Sequence, residues 1–373
     1  MNCILCGKCL EVCPLLRATN REELSPRAKA DLATLLKNGE LPLSGEDVAG
    51  LTGLCLGCRR CRDKCPQGVD VPALVADLRA AHPDFRSWLW KTWLKRAREL
   101  WPSSSLAAKL IPEKFQPERL APFLKALALL EGGPHIVPFV NIRELPDHKG
   151  EAMLLFSGCT ARYVQGHWRK TAEKLLSAMN IELRKDKFEC CGIGLESAGF
   201  GADAGKMREK NVQTWRKAGK PKIVTLCVSC HKGLTGYSGC FKNPEEALQW
   251  TEALTPISEL LFDGRYVLSE NTPARVGYHR PCHAPKNDTD HTLLTAVLGE
   301  RLRSHDGREC CGFGGIMQLG APELCARVNA RCRQSLEGAG VVLTGCSACA
   351  AQLTATAPEG IRVGHWLEIL KTP

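Results

Sequence analysis

Apolar residues along this chain follow two alternating rhythms. Short uninterrupted runs at Leu154 to Phe156, Ile223 to Leu226, Val276 to Tyr278 and Val341 to Thr344 read as buried parallel strands. Between them, Trp168 to Met179 and Leu324 to Leu336 place apolar residues at helical spacing. The alternation predicts βαβ units with a parallel sheet over residues 151–262 and again over 263–373. Near the N-terminus, Ser25 to Leu36 reads as an amphipathic helix with Pro26 close to its start, where a helix tolerates proline. Trp90, Trp93, Leu94, Ala97, Leu100 and Trp101 fall on one helical face, and Pro102 is expected to end that helix.

The two predicted α/β regions repeat one another. Met153-Leu154-Leu155-Phe156-Ser157-Gly158-Cys159 corresponds to Val276-Gly277-Tyr278-His279-Arg280-Pro281-Cys282. Glu189-Cys190-Cys191-Gly192-Ile193-Gly194 corresponds to Glu309-Cys310-Cys311-Gly312-Phe313-Gly314. The run Ile223 to Leu226 leads into Cys227-Val228-Ser229-Cys230, and Val341 to Gly345 leads into Cys346-Ser347-Ala348-Cys349. Order and spacing match, so gene duplication is the simplest account. Each copy carries five thiols, one more than a tetrahedral site takes, so one bridges metals or is spare. Gly192 and Gly312 follow the adjacent pairs, where the chain must bend sharply to present two neighbouring thiols to one site. The cysteines sit where strands end and helices begin, the usual place for ligands in an α/β sheet and one that favours thiolates.

Composition sharpens this reading. The chain has 373 residues, 44% hydrophobic and 24% charged, an ordinary globular balance, but 21 cysteines. The sequence opens Met1-Asn2-Cys3 without a basic and then apolar leader, and no stretch approaches the ~18 apolar residues of a spanning helix. That pattern points to a soluble protein of a reducing cytoplasm, whose clustered cysteines bind metal rather than form disulfides. The net charge of +10 and pI near 8.8 suit an acidic partner or an anionic surface. No nucleic-acid motif accompanies the basic residues, so no nucleic-acid partner is expected. Residues 81–150 contain no cysteine and form a helical linker in this reading.

Residues 1–80 hold eight cysteines in two runs, Cys3, Cys6, Cys9, Cys13 before Pro14, and Cys55, Cys58, Cys61, Cys65 before Pro66. Both spell C-x2-C-x2-C-x3-C-P, the run of bacterial two-cluster ferredoxins, in which the fourth cysteine reaches the other cube. The resemblance implies one cubane [4Fe–4S] cluster on Cys3, Cys6, Cys9 and Cys65, and a second on Cys55, Cys58, Cys61 and Cys13. A zinc site would pair two cysteines with two distant ones instead. The helical insertion between the runs resembles the α-helical ferredoxins of succinate dehydrogenase and heterodisulfide reductase subunits.

The duplicated pattern resembles the cysteine-rich CCG domain of heterodisulfide reductase catalytic subunits and of the iron–sulfur subunits of glycolate oxidase, D-lactate dehydrogenase and anaerobic glycerol-3-phosphate dehydrogenase. The resemblance implies an α+β multidomain protein: an α-helical dicluster ferredoxin domain followed by two α/β CCG domains. It implies a noncubane [4Fe–4S] cluster on Cys159, Cys190, Cys191, Cys227 and Cys230, and another on Cys282, Cys310, Cys311, Cys346 and Cys349. Zinc stays an alternative for one half. No G-x-G-x-x-G lies between a strand and a helix, so a flavin is expected on a partner. The implied partner is a flavoprotein of the FAD-linked 2-hydroxy-acid dehydrogenase type, with electrons leaving to a quinone or another carrier and membrane association only through a partner. The alternative is a heterodisulfide reductase-like protein that cleaves a disulfide itself.

Four weaker signals have ordinary readings beside functional ones. Cys227-x-x-Cys230-His231 matches a haem-attachment motif but has no His in the second copy, where Ala350 stands. His279, His283 and His291 around Cys282 read as hydrogen-bond partners of sulfur more readily than as proton donors. The Trp-rich stretch Phe85 to Trp101 reads equally as a docking helix and as one packed between domains. Cys240, Cys325 and Cys332 fall outside the repeat and read as small buried residues.

Overall fold

A computed structural model describes residues 3–110, 135–304, 307 and 309–372. In the first α/β half, β2 (Ala152–Phe156), β3 (Glu182–Leu183), β4 (Lys222–Thr225) and β5 (Leu254–Pro256) form a parallel sheet in the order β3-β2-β4-β5. In the second, β7 (Val276–Tyr278), β8 (Leu302–Ser304), β9 (Val341–Thr344) and β10 (Arg362–His365) form another in the order β8-β7-β9-β10. Taken from the first strand of each half, both orders are 2-1-3-4. The repeat seen in the sequence is therefore also a repeat of topology.

Period-2 alternation sorts each central strand between two cores. Leu154, Phe156, Ile223 and Val342 face a core that also holds most of the repeat cysteines. Met153, Leu155, Val224, Val341 and Leu343 face the other, shared by the two halves. Both faces are covered, which is why these strands read as continuous apolar runs. The helices Gly166–Ala178 and Pro322–Gln334 lie where helical spacing predicts them.

A third small sheet has no counterpart in the sequence reading. It pairs β1 (Val140–Glu144) antiparallel to β6 (Arg265–Leu268) and parallel to β11 (Leu370–Lys371). It thus stitches the chain before the first half, the junction and the C-terminus together. This corrects the expectation of a purely helical linker over 81–150. That stretch holds the helices Phe85–Lys95 and Ala97–Leu110 but closes on a strand, and residues 111–134 lie outside the described residues. Pro102 does not end a helix either. It sits within Ala97–Leu110, and the break falls at Arg96, the C-cap of the preceding helix.

Residues 3–81 are all helix and loop among the described residues, with helices Pro14–Thr19, Pro26–Lys37, Gly45–Gly53, Arg60–Lys64 and Val71–Ala81. Ser25 caps the second of these by accepting from Ala28 N at 3.1 Å. This segment is bolted to both α/β halves. Arg79 Nη1 donates to Ser197 O at 2.6 Å in the first, and Arg60 Nη2 to Glu309 O at 2.8 Å in the second. Arg17 pairs with Glu309 at 3.0 Å. No described helix is long and apolar enough to cross a membrane.

Candidate metal centres

The two N-terminal cysteine runs share one backbone device. Leu5 and Gly57, each the residue before a middle cysteine, have φ of 56° and 67°, and Gly7 and Arg59, each the residue after, have φ of 78° and 60°. The paired left-handed residues curl each run around its thiols. Leu5 and Arg59 hold a conformation that costs about 1–2 kcal/mol for a side chain with a Cβ. Burial raises the Cys9 thiol, and the thiols of Cys3, Cys6 and Cys65 push it the same way. Burial also raises Cys61, with Cys58, Cys55 and Cys13 adding to it. The fourth cysteine of each run therefore lies with the first three of the other. Cys3 and Cys6 are exposed, whereas Cys61 is buried, so one group of four is outer and the other inner.

Two buried cations, Lys29 and Arg79, and the half-buried Arg60 attend the inner group. Lys29 is 7% exposed, its ammonium bonded to Leu24 O. Burial lowers its pKa, against the thiols of Cys55, Cys13 and Cys61, which raise it. Arg79 donates to Gly53 O and Cys55 O at 3.3 and 3.2 Å. Arg60 interacts electrostatically with the thiols of Cys58, Cys282 and Cys310. Burial pushes the Cys58 thiol up to about 12, eased by Arg60 and reinforced by Cys310. The inner group thus abuts the second α/β half.

In the α/β halves the thiols follow identical sequences of neighbours. The first runs Cys159, Cys190, Cys191, Cys230, Cys227, with Cys159 and Cys190 Sγ 4.0 Å apart. The second runs Cys282, Cys310, Cys311, Cys349, Cys346. Cys159 and Cys282 follow each half's first strand, Cys227 and Cys346 its third. Those strands flank the point where the strand order reverses, which is where open α/β sheets bind ligands. The S–H groups of Cys159 and Cys191 pull Cys190 below the ordinary thiol range, and those of Cys282 and Cys311 do the same for Cys310. A thiolate is the form a metal requires.

The two sets touch. Ser347 N donates to Cys227 Sγ at 3.4 Å, and Ser229 Oγ lies 3.0 Å from Cys346 Sγ. All ten repeat cysteines and Cys55 open on one cavity of about 720 Å³. Its remaining wall is largely apolar and includes Trp90, Trp93 and Trp101. Trp90 donates to Gly194 O at 3.3 Å and tilts against Phe313 at 6.2 Å. Lys91 and Lys95 each reach Asp203 at 2.7 Å. The inner face of the Trp-rich helix is therefore packed, while Phe85 and Trp88 stay outside, 72% and 56% exposed.

All of the cysteines are free thiols in this structure. In each half, five free thiols, buried or half-buried, converge from three loops and fit an iron–sulfur centre or zinc. Oxygen-seeking cations do not suit a thiol-only set.

The weaker signals separate. His231 is tied to Thr225 at 3.1 Å and does not line the cavity. His283 lines the cavity, its Nδ1 3.0 Å from Ser229 Oγ. His279 is fully buried, 3.3 Å from Cys332, with its ring within 4.8 Å of the Cys311 and Cys349 sulfurs. His291 bonds Ser304 at 2.9 Å at the surface and does not join them. Cys325 and Cys332 are buried, whereas Cys240 is only partly so. Sequence reading missed Asn211 and Asn329. Asn211 holds Glu189 N and Cys190 O at 2.7 and 3.2 Å, and Asn329 holds Cys311 O at 2.8 Å. Each is a buried Asn on the second helix after a Cys-Cys-Gly turn, a signal visible once the copies are aligned.

Comparison with known proteins agrees with this geometry. Residues 1–69 match the model of the 4Fe-4S dicluster domain, and residues 153–235 and 276–354 that of the cysteine-rich CCG domain. The chain is 24% identical to a probable glycolate oxidase iron-sulfur subunit of Bacillus subtilis, covering 88% of this chain and 82% of that one. It is also 24% identical to a component of the dihydromethanophenazine:CoB–CoM heterodisulfide reductase of Methanosarcina acetivorans, over 93% and 87%. With the glycolate oxidase iron-sulfur subunit of Escherichia coli the identity is 23%, over 99% and 93%.

Proposed function

Since the chain belongs to the iron–sulfur proteins that join a 4Fe-4S dicluster domain to paired CCG domains, we propose that it is the electron-transfer subunit of an FAD-linked 2-hydroxy-acid dehydrogenase complex. The observation that carries this reading is contiguity. Cys9 and Cys65 of the outer group pack on the same small core as Cys55 and Cys61 of the inner group, Cys58 interacts with Cys282 and Cys310 of the second half, and Ser347 beside Cys346 bonds Cys227 of the first.

In this reading Cys3, Cys6, Cys9 and Cys65 hold one cubane cluster, and Cys13, Cys55, Cys58 and Cys61 the other. The two five-thiol sets hold one noncubane cluster each. Bound clusters supply one-electron steps. The chain's own residues insulate the two five-thiol sets: the apolar core around their sulfurs and the Trp90 wall exclude water, and burial keeps their local dielectric low, whereas the outer group stays exposed at Cys3 and Cys6.

A second reading has an observation of its own. Both five-thiol sets are complete and open together on a largely apolar cavity, which suits a disulfide substrate handled by this chain itself, as in a heterodisulfide reductase-like protein.

Anaerobic native purification with identification of the bound partner separates the readings. An FAD-linked dehydrogenase whose hydroxy-acid substrate bleaches this chain's visible absorption supports the first. A partner of the heterodisulfide reductase type, with no bleaching by hydroxy acids, sinks it in favour of the second.

A further inference from the structure

The two groups of ferredoxin thiols differ in the cations set beside them. The inner group faces Lys29 and Arg79, both buried, and the half-buried Arg60. At the outer group Cys9 interacts with the thiols of Cys3, Cys6 and Cys65, and Lys8, next to it in the chain, is exposed. A cation in water is screened within about 10 Å at ordinary salt, whereas one buried beside a cluster acts at low dielectric and is hardly screened. Reducing a cluster adds one negative charge. A buried cation therefore stabilises the reduced form and raises the potential of the centre it faces.

Lys29 is the most telling of the three. It comes from the helix inserted between the two cysteine runs, turns its ammonium inward at 7% exposure, and interacts with Cys55, Cys13 and Cys61. A buried lysine is costly unless something compensates it. Its ammonium donates to Leu24 O, and the inner thiols supply the negative charge.

We propose that Lys29, with Arg79 and Arg60 behind it, holds the inner centre at a higher reduction potential than the outer one and so directs electrons inward. The inference rests on the cluster reading above. In the step itself the reduced outer centre loses one electron and the inner centre gains it, with no proton moved. The reductant is a reduced flavin on the partner, and the next acceptor is the second-half centre beside Cys58 and Arg60.

The test is a potentiometric titration followed by electron paramagnetic resonance on anaerobic full-length protein. Cys3→Ser, which alters a donor of the outer group alone, assigns the two cubane signals. The wild type is expected to show the inner centre reduced first. Lys29→Met should move the inner potential negative and leave the outer one in place, while Lys29→Arg keeps the wild-type order. A merely structural lysine would move neither potential. An inner centre at or below the outer one in the wild type, or an inner potential unmoved in a folded Lys29→Met protein, overturns the proposal. Absence of both cubane signals from the wild type overturns the cluster reading as well.

Discussion

Gly312→Ala is expected to destabilise the second α/β half by about 3–5 kcal/mol and to empty its metal centre, while Gly192→Ala at the matching position is expected to cost about 1–2 kcal/mol. Both glycines turn the chain after the adjacent cysteine pair, with φ of 78° and 81°. The left-handed conformation alone accounts for the smaller figure. The difference lies in what a Cβ would meet. At Gly312 it would stand 2.5 Å from Cys325 O and 2.9 Å from Asn329 N, both backbone atoms of the helix Pro322–Gln334. At Gly192 the nearest atom is Ala204 Cβ at 3.3 Å. The displaced helix in the second half also carries Asn329, which holds Cys311 O, and Cys332, which meets His279. Denaturant melts with iron analysis of the two variants check this. Equal losses at both positions would contradict it.

Cys13→Ser is expected to strip the inner cubane and spare the outer, although Cys13 follows directly on Cys3, Cys6 and Cys9 in the chain. Proximity in sequence argues for the outer group. Geometry argues for the inner, because Cys13 is set among Lys29 and Cys55, and it stands among the neighbours of Cys61. The variant should lose half of the iron of the ferredoxin segment, keep the outer cubane's signal, and lose partner-driven reduction of the centres in both α/β halves. Loss of the outer signal with the inner one intact would refute the crossed assignment.

Much of this architecture is legible in the sequence because it is written twice. The four central strands, the two cysteine sets and the paired ferredoxin runs each recur with matching spacing, and recurrence separates signal from accident. The strands β3, β5, β8 and β10 leave little trace because they are the edges of their sheets and polar residues such as Glu182, Thr255, Arg303 and Arg362 break up any apolar run in them. The sheet of β1, β6 and β11 joins segments more than a hundred residues apart, and β6 alternates exposed with half-buried positions rather than forming an apolar run. Leu5 and Arg59 adopt left-handed turns where only glycine would announce one. The Trp-rich helix is ambiguous in sequence because both of its uses want aromatics. Packing decides for Trp90, which is 7% exposed, and leaves Phe85 and Trp88 at the surface. His279 shows the reach of alignment: it extends β7 as Phe156 ends β2, so an imidazole replaces a phenyl ring beside the second thiol set only.

The most direct test of the account is the iron, acid-labile sulfide and zinc content of the anaerobically isolated chain. Four four-iron clusters require roughly sixteen irons and as many labile sulfides per chain, with zinc near zero. Zinc in place of iron, or iron without matching sulfide, would contradict an unbroken iron–sulfur path from the exposed Cys3 loop to the cavity between the two α/β halves.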